Sequence, residues 1–267
     1  MWGPRTSRHL QPSTLKEGNS VWLYPSEEGV VSTFWDLCGE MEPFPRSLER
    51  YLALALPLTV IKLPRLKITS IQDWLSQRRA SVAFGCSDRQ LRGCLVARGG
   101  EGLIFVDGTD SPAELRFTIA HELAHFLIDY LLPRSRALRT FGPWARDVID
   151  GVRSPTPSER LQAVLTSQAI TVHINLMERT VEGEAISNVL IVENRADRVA
   201  LALLAPPSIV MARLGPLADG FVERHEAVTS ELCLRYGLPS WLARQYGRAL
   251  LVDIGRGPSW VEAIKKT

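Results

Sequence analysis

Apolar residues along this chain recur at helical spacing in several stretches and as short unbroken runs in others. From Ser47 to Leu56 the spacing suits a helix ended by Pro57, and Thr59–Leu63 reads as a short strand ended by Pro64. Another helix is expected over Ser70–Arg79. The runs Leu91–Ala97 and Gly102–Val106, separated by Arg98-Gly99-Gly100-Glu101, read as a β-hairpin. Just beyond it, Ser111-Pro112-Ala113-Glu114 places a capping serine, a proline at the first helical position and a glutamate at the third. The helix that starts there is expected to run to about Leu132, where Pro133 stops it. A second long helix spans about Asn188–Leu204 and is closed by Pro206-Pro207. Two more, about Val222–Tyr236 and Ser240–Leu250, are joined by Gly-Leu-Pro. Residues 1–50 scatter aromatics among Pro and Gly, and only loops and short elements are assigned to this extension, whose role the pattern does not reveal. Residues 134–160, rich in arginine and ending near Ser154-Pro155-Thr156-Pro157, read as an exposed excursion.

Composition narrows the class. The 267 residues are 45% hydrophobic and 22% charged, enough apolar material for a full core in one or two domains. A net charge of +2 is too near balance for a protein that mainly coats nucleic acid or an anionic membrane. Cys38, Cys86, Cys94 and Cys233 lie far apart without a C-x-x-C pair, so free thiols are expected rather than a disulfide frame or a cysteine zinc site. No segment approaches the roughly 20 apolar residues of a membrane span. The polar N-terminus carries no secretory signal, which makes a reduced, cytoplasmic setting the default expectation.

The chemistry concentrates in Phe117-Thr-Ile-Ala-His-Glu-Leu-Ala-His-Phe-Leu-Ile-Asp129, an H-E-x-x-H pattern in an apolar helix. Residues four apart share a helix face, so His121 and His125 can each give one nitrogen to a single ion. Glu122 follows the first histidine and points beside the metal, where its carboxylate can take a proton from the attacking water. It is the expected general base. The chain has only five histidines to distribute, and nearly every neighbour on this helix is apolar, which disfavours a chance placement.

A catalytic zinc keeps three protein ligands and one open position. Glu193, in the second long helix, is the preferred third ligand, because Asp197 lies one turn later and can hold the tautomer of a ligating histidine. Glu178, Glu182, Glu184, His173 and Asp129 are rivals for that place. Asp129 is aligned with the histidines but lies more than one turn away, so exposure or a helix-end role is expected for it. Tyr130, His173 and His225 are candidates for stabilising the oxyanion. The donor set does not distinguish Zn2+ from Mn2+ or Fe2+.

The run Arg116-Phe-Thr-Ile-Ala-His-Glu-Leu-Ala-His-Phe-Leu-Ile, with Glu193-x-x-x-Asp197-x-x-Ala200-x-x-Leu203-Leu204-x-Pro206, resembles the ImmA/IrrE family of bacterial and phage metallopeptidases. The hairpin at Gly93–Ala97 and Gly102–Asp107 and the helical pair from Glu231 to Leu250 are similar to that family too. The likeness covers about residues 50–250, and only the two zinc helices are specific. It implies an α+β, zincin-like metallopeptidase domain over 51–210, with a small sheet and two zinc-binding helices that supply His121, His125 and Glu193 to the ion. A C-terminal helical segment, 211–267, follows. The sequence departs from the family in an apparent insertion over 134–186, in Asp197 where asparagine is frequent, in Asp129 where histidine is frequent, and in the N-terminal extension.

The resemblance further implies a zinc-dependent endopeptidase acting on a protein substrate, a helix-turn-helix repressor of the phage type, to switch on stress-response or mobile-element genes. An alternative is a DNA- or partner-binding regulator with a structural or vestigial zinc site. The turn around Gly237, with Arg235, Arg244 and Arg248 nearby, has the length of a helix-turn-helix. Packing of that pair on the peptidase domain is the preferred reading, and an intact Glu122 argues against a dead enzyme.

Overall fold

The computed structural model describes residues 23–39, 43–80, 82–84, 87–157, 173–178, 195–214 and 220–258. It is an α+β structure around a four-stranded sheet. The strands are β1 (Leu58–Leu63), β2 (Leu91–Arg98), β3 (Glu101–Asp107) and β4 (His173–Glu178), in the order β1-β3-β2-β4. β2 and β3 form the expected antiparallel hairpin, with Leu95 opposite Ile104. β1 joins β3 in parallel, and β4 lies antiparallel to β2 on its other side. The expected insertion therefore gives the sheet a strand. Nothing in its sequence marked one, because six residues without a hairpin partner next to them carry little signal.

Both faces of the hairpin are buried, which accounts for its continuous apolar runs. On one face Cys94, Val96 and Phe105 pack under α3 (Ile68–Ser76) with Ile71 and Leu75. On the other, Leu95, Ala97, Ile104 and Val106 meet α4 (Pro112–His125) through Phe117, Ala120 and Leu123. Gly93 and Gly102 share the α4 face by strand alternation, and they bring the helix down onto the sheet. A Cβ at Gly102 would fall 2.5 Å from Leu58 Cδ1 and 2.8 Å from Phe126 Cε2.

α4 starts as the sequence predicts, with Ser111 Oγ accepting from the Glu114 N–H at 3.3 Å and Glu114 reaching back to the Ser111 N–H at 3.2 Å. Its end corrects the expectation. Pro133 does not stop the helix. A π-helical turn at Phe126–Leu131 follows α4, with the Leu132 N–H bonded to the Leu127 carbonyl, and α5 (Leu132–Phe141) continues from it. A proline ring clashes with the carbonyl four residues back and offers no N–H. The wider turn removes both demands. α5 then carries Arg134 into a two-point pair with Asp150 at 2.8 and 2.9 Å, just past α6 (Arg146–Ile149), so this part of the expected excursion is packed.

The N-terminal extension is corrected too. Pro25–Cys38 forms a 14-residue helix, α1, followed by α2 (Glu49–Ala55). Its signals were present as Pro25 at the first turn, Glu27 and Glu28 behind it, and Gly39 at the end. Val30, Phe34 and Trp35 of α1 join the main core, so this segment is not appended to the domain but built into it.

The second long helix is described over α7 (Arg195–Leu204), and α8 (Pro207–Arg213) follows. The C-terminal pair, α9 (Phe221–Leu234) and α10 (Ser240–Asp253), packs into the same core through Leu232, Tyr236, Leu242 and Tyr246. Tyr246 donates its buried hydroxyl hydrogen to the Ala205 carbonyl at 2.9 Å. Among the described residues no helix is long and apolar enough to cross a membrane. Cys38 and Cys233 are free thiols, and burial pushes Cys38 up to about 11; Cys86 lies outside the described residues.

Gly102→Ala should destabilise the fold by about 1–3 kcal/mol through overpacking between Leu58 and Phe126. Urea unfolding of the variant beside the wild type measures this directly.

Candidate metal centre

The stripe Thr118, Glu122, Phe126 repeats every four residues on α4 and its π extension, and it faces the sheet. Gly93 on β2 makes room for it. A Cβ at that position would lie 2.6 Å from Thr118 Cγ2 and 2.8 Å from Glu122 Oε1. Glu122 is thereby held in a fully buried slot between helix and strand. A residue with any side chain at 93 would push the carboxylate out of it.

One residue further around the helix, His121 and His125 form a parallel stripe with ring centroids 4.8 Å apart. α7 runs alongside α4, and Asp197 in its first turn places Oδ1 2.7 Å from His121 Nδ1. Both groups are buried, at 5% and 2% exposure, so neither can trade this contact for water. The second histidine is held from its own helix: His125 Nδ1 lies 2.7 Å from Asp129 Oδ2, and Asp129 Oδ1 accepts from Arg195 Nη2 at 3.0 Å. Each imidazole thus has its Nδ1 fixed by a carboxylate. That leaves the Nε2 atom of each ring for another partner.

Sequence reasoning gave Asp129 a helix-end role or an alternative place on the metal, and the structure instead sets it behind His125. The signal was there, since 125 and 129 are spaced like 121 and 125. The Arg195 contact had no signal, because it joins residues 66 positions apart.

Burial disfavours the charged form of His121, yet the hydrogen bond and charge of Asp197 outweigh it, aided by the charges of Glu122 and Asp129. The pKa of His121 accordingly stands above the ordinary value. The second oxygen of Asp197 is buried and meets no donor among the described residues. A pocket with this much negative charge behind two imidazoles suits a divalent cation. Among the described residues no three His, Cys, Asp or Glu side chains form a metal cluster. The preferred third ligand, Glu193, lies outside the described residues, as do Glu182 and Glu184.

Two of the oxyanion candidates, Tyr130 and His225, have partners elsewhere. Tyr130 accepts at its hydroxyl oxygen from the Gly100 N–H at 2.7 Å, in the turn of the β2–β3 hairpin. His225, on α9, has its Nε2 2.7 Å from the Arg244 carbonyl and stacks on Phe221. His173 opens β4 opposite Ala97, and Glu178 ends the strand opposite Leu91. Neither Tyr130 nor His225 is in contact with His121 or His125 through any of these bonds.

Residues 87–147 match the family model Peptidase_M78, described as the IrrE N-terminal-like domain. The match begins just before β2, carries Gly93, His121, Glu122, His125 and Asp129, and ends on α6, past Pro133 and within the expected insertion. Asp197 lies beyond it. No curated protein matches the chain.

Replacing Asp197 by alanine should weaken Zn2+ binding by roughly 10- to 100-fold. Asp129→Ala should weaken it less, because that side chain is 30% exposed and water can take its place. Competition with a chelator of known affinity ranks the two.

Proposed function

We propose, on the premise that residues 87–147 belong to the IrrE N-terminal-like peptidase family, that this chain is a zinc-dependent metallo-endopeptidase with a zincin-like site. The observation that carries this reading is the pair of histidines on one helix face, each with Nδ1 held by a carboxylate, beside a buried Glu122. His121 and His125 would hold the ion, with Glu193 as the third ligand on sequence grounds. Bound zinc would supply Lewis-acid polarisation of the scissile carbonyl and of water. Glu122 accepts the proton of the attacking water and delivers it to the leaving amine. Its slot beside Gly93 fixes where that carboxylate can stand, so little reorganisation is needed at the moment of transfer.

The substrate class follows from resemblance alone: a repressor carrying a phage-type helix-turn-helix, whose cleavage would switch on stress-response or mobile-element genes. The alternative, a DNA-binding regulator built on α9 and α10, finds less support. The turn between these helices is docked on α4, where Arg116 Nη1 donates to the Gly237 carbonyl at 2.7 Å. Leu242, Tyr246 and Leu250 of α10 are committed to the core. Arg244 and Arg248 do remain exposed on its outer side.

Incubation with a phage-type repressor should give cleavage that a chelator abolishes and added Zn2+ restores. Glu122→Gln should keep its zinc and lose cleavage, whereas Glu193→Gln should lose zinc. Wild-type cleavage by Glu122→Gln would remove the assigned base. Gly93→Ala should lower the cleavage rate by about 100-fold through displacement of Glu122 while zinc stays bound.

A further inference from the structure

The helix that carries Asp197 is gripped at two points by the N-terminal segment. Arg198, the next residue, turns away from the histidines toward α1 and meets Glu27 in a two-point pair, Nη2 to Oε1 at 2.5 Å and Nε to Oε2 at 3.0 Å. The Glu27 side chain is only 2% exposed, and Oε2 also accepts from the Tyr24 N–H at 3.0 Å, so the carboxylate itself is anchored. The aromatic ring of Tyr24 lies 5.0 Å from the Arg198 guanidinium. At the other end of α7, Arg46 donates to the Leu203 carbonyl. Its guanidinium is itself held between the rings of Trp35 and Phe44, at 4.7 and 4.3 Å.

Burying these three charged groups costs more than it returns unless the geometry is close to ideal, and such contacts are better understood as setting position than as adding stability. Here they set the rotation and the height of α7. Rotation of α7 about its axis would carry Asp197 away from His121, and among the described residues Asp197 has no other side-chain hydrogen bond to hold it there. We infer that Glu27 is a positioning residue of the metal centre, acting through Arg198 to hold Asp197 against His121. The inference rests on the reading of His121 as a metal ligand.

The test is a cycle of three full-length variants, Glu27→Gln, Asp197→Ala and the two combined, each titrated with Zn2+ against a chelator and with Co2+ followed by its visible spectrum. Glu27→Gln should bind Zn2+ about tenfold more weakly than the wild type. Its cobalt spectrum should move in the direction seen for Asp197→Ala, and the combined variant should be no weaker than Asp197→Ala alone. Val228→Ala, a core truncation on α9, serves as a comparison of general destabilisation and should bind Zn2+ like the wild type. Should Glu27→Gln fail to fold, Glu27→Asp keeps the charge on a shorter side chain and carries the same comparison. Wild-type affinity in the Glu27 variant, or losses that add in full, would overturn the positioning role alone. Wild-type affinity in Asp197→Ala would overturn the reading of the site and the positioning role with it.

Discussion

The contact between His121 and Asp197 joins two helices whose contributing residues are 76 positions apart in the chain. An imidazole and a carboxylate at this depth can be accommodated only if each satisfies the other, since either one alone would be a buried polar group without compensation. Much of the surrounding architecture answers to that requirement. α4 has to lie close to the sheet, α7 has to lie close to α4, and α7 has to present Asp197 rather than a neighbour. The first condition is met by two glycines, the second by the apolar faces of both helices, and the third by the Glu27–Arg198 ion pair and the Arg46 hydrogen bond.

The two histidines are held in different ways, and the difference is physical. His121 depends on a second helix and on the exclusion of water. His125 depends on its own helix, through a carboxylate that solvent reaches and that Arg195 also holds. A site built from one histidine supported within its own helix and one held by a second helix is half formed by α4 alone and completed when α7 docks. The matched family segment, residues 87–147, contains the first half with Glu122 and stops before the second.

What the sequence disclosed follows the range of each interaction. The start of α4, the hairpin and the histidine pair depend on residues within a few positions of one another, and periodicity and capping residues expose them. β4, the ion pair of Glu27 and the hydrogen bond of Arg46 depend on partners far along the chain, which no local pattern records. α1 falls between these cases: its proline, paired glutamates and terminal glycine are ordinary boundary signals, obscured by the aromatics around them. Pro133 misled because a proline usually ends a helix, and the π-helical turn that tolerates it is rare. Asp197 was legible as a partner for a histidine through its place on a helical stripe, while Asp129 was visible in register but misjudged in role.

The span of the Glu27–Arg198 pair has a consequence for the order in which the molecule is assembled. Its two members are separated by 171 residues, so during synthesis α1 emerges long before the helix it braces. Until then the buried face of α1, with Val30, Phe34 and Trp35, has no α7 to cover it, and the closing contact is among the most distant in the chain. A chain interrupted before Arg198 would already own both histidines, Glu122 and Asp129, yet lack the pair that braces α7. On the proposed reading of the site, a firm hold on a metal is therefore acquired late, when that brace closes on α1.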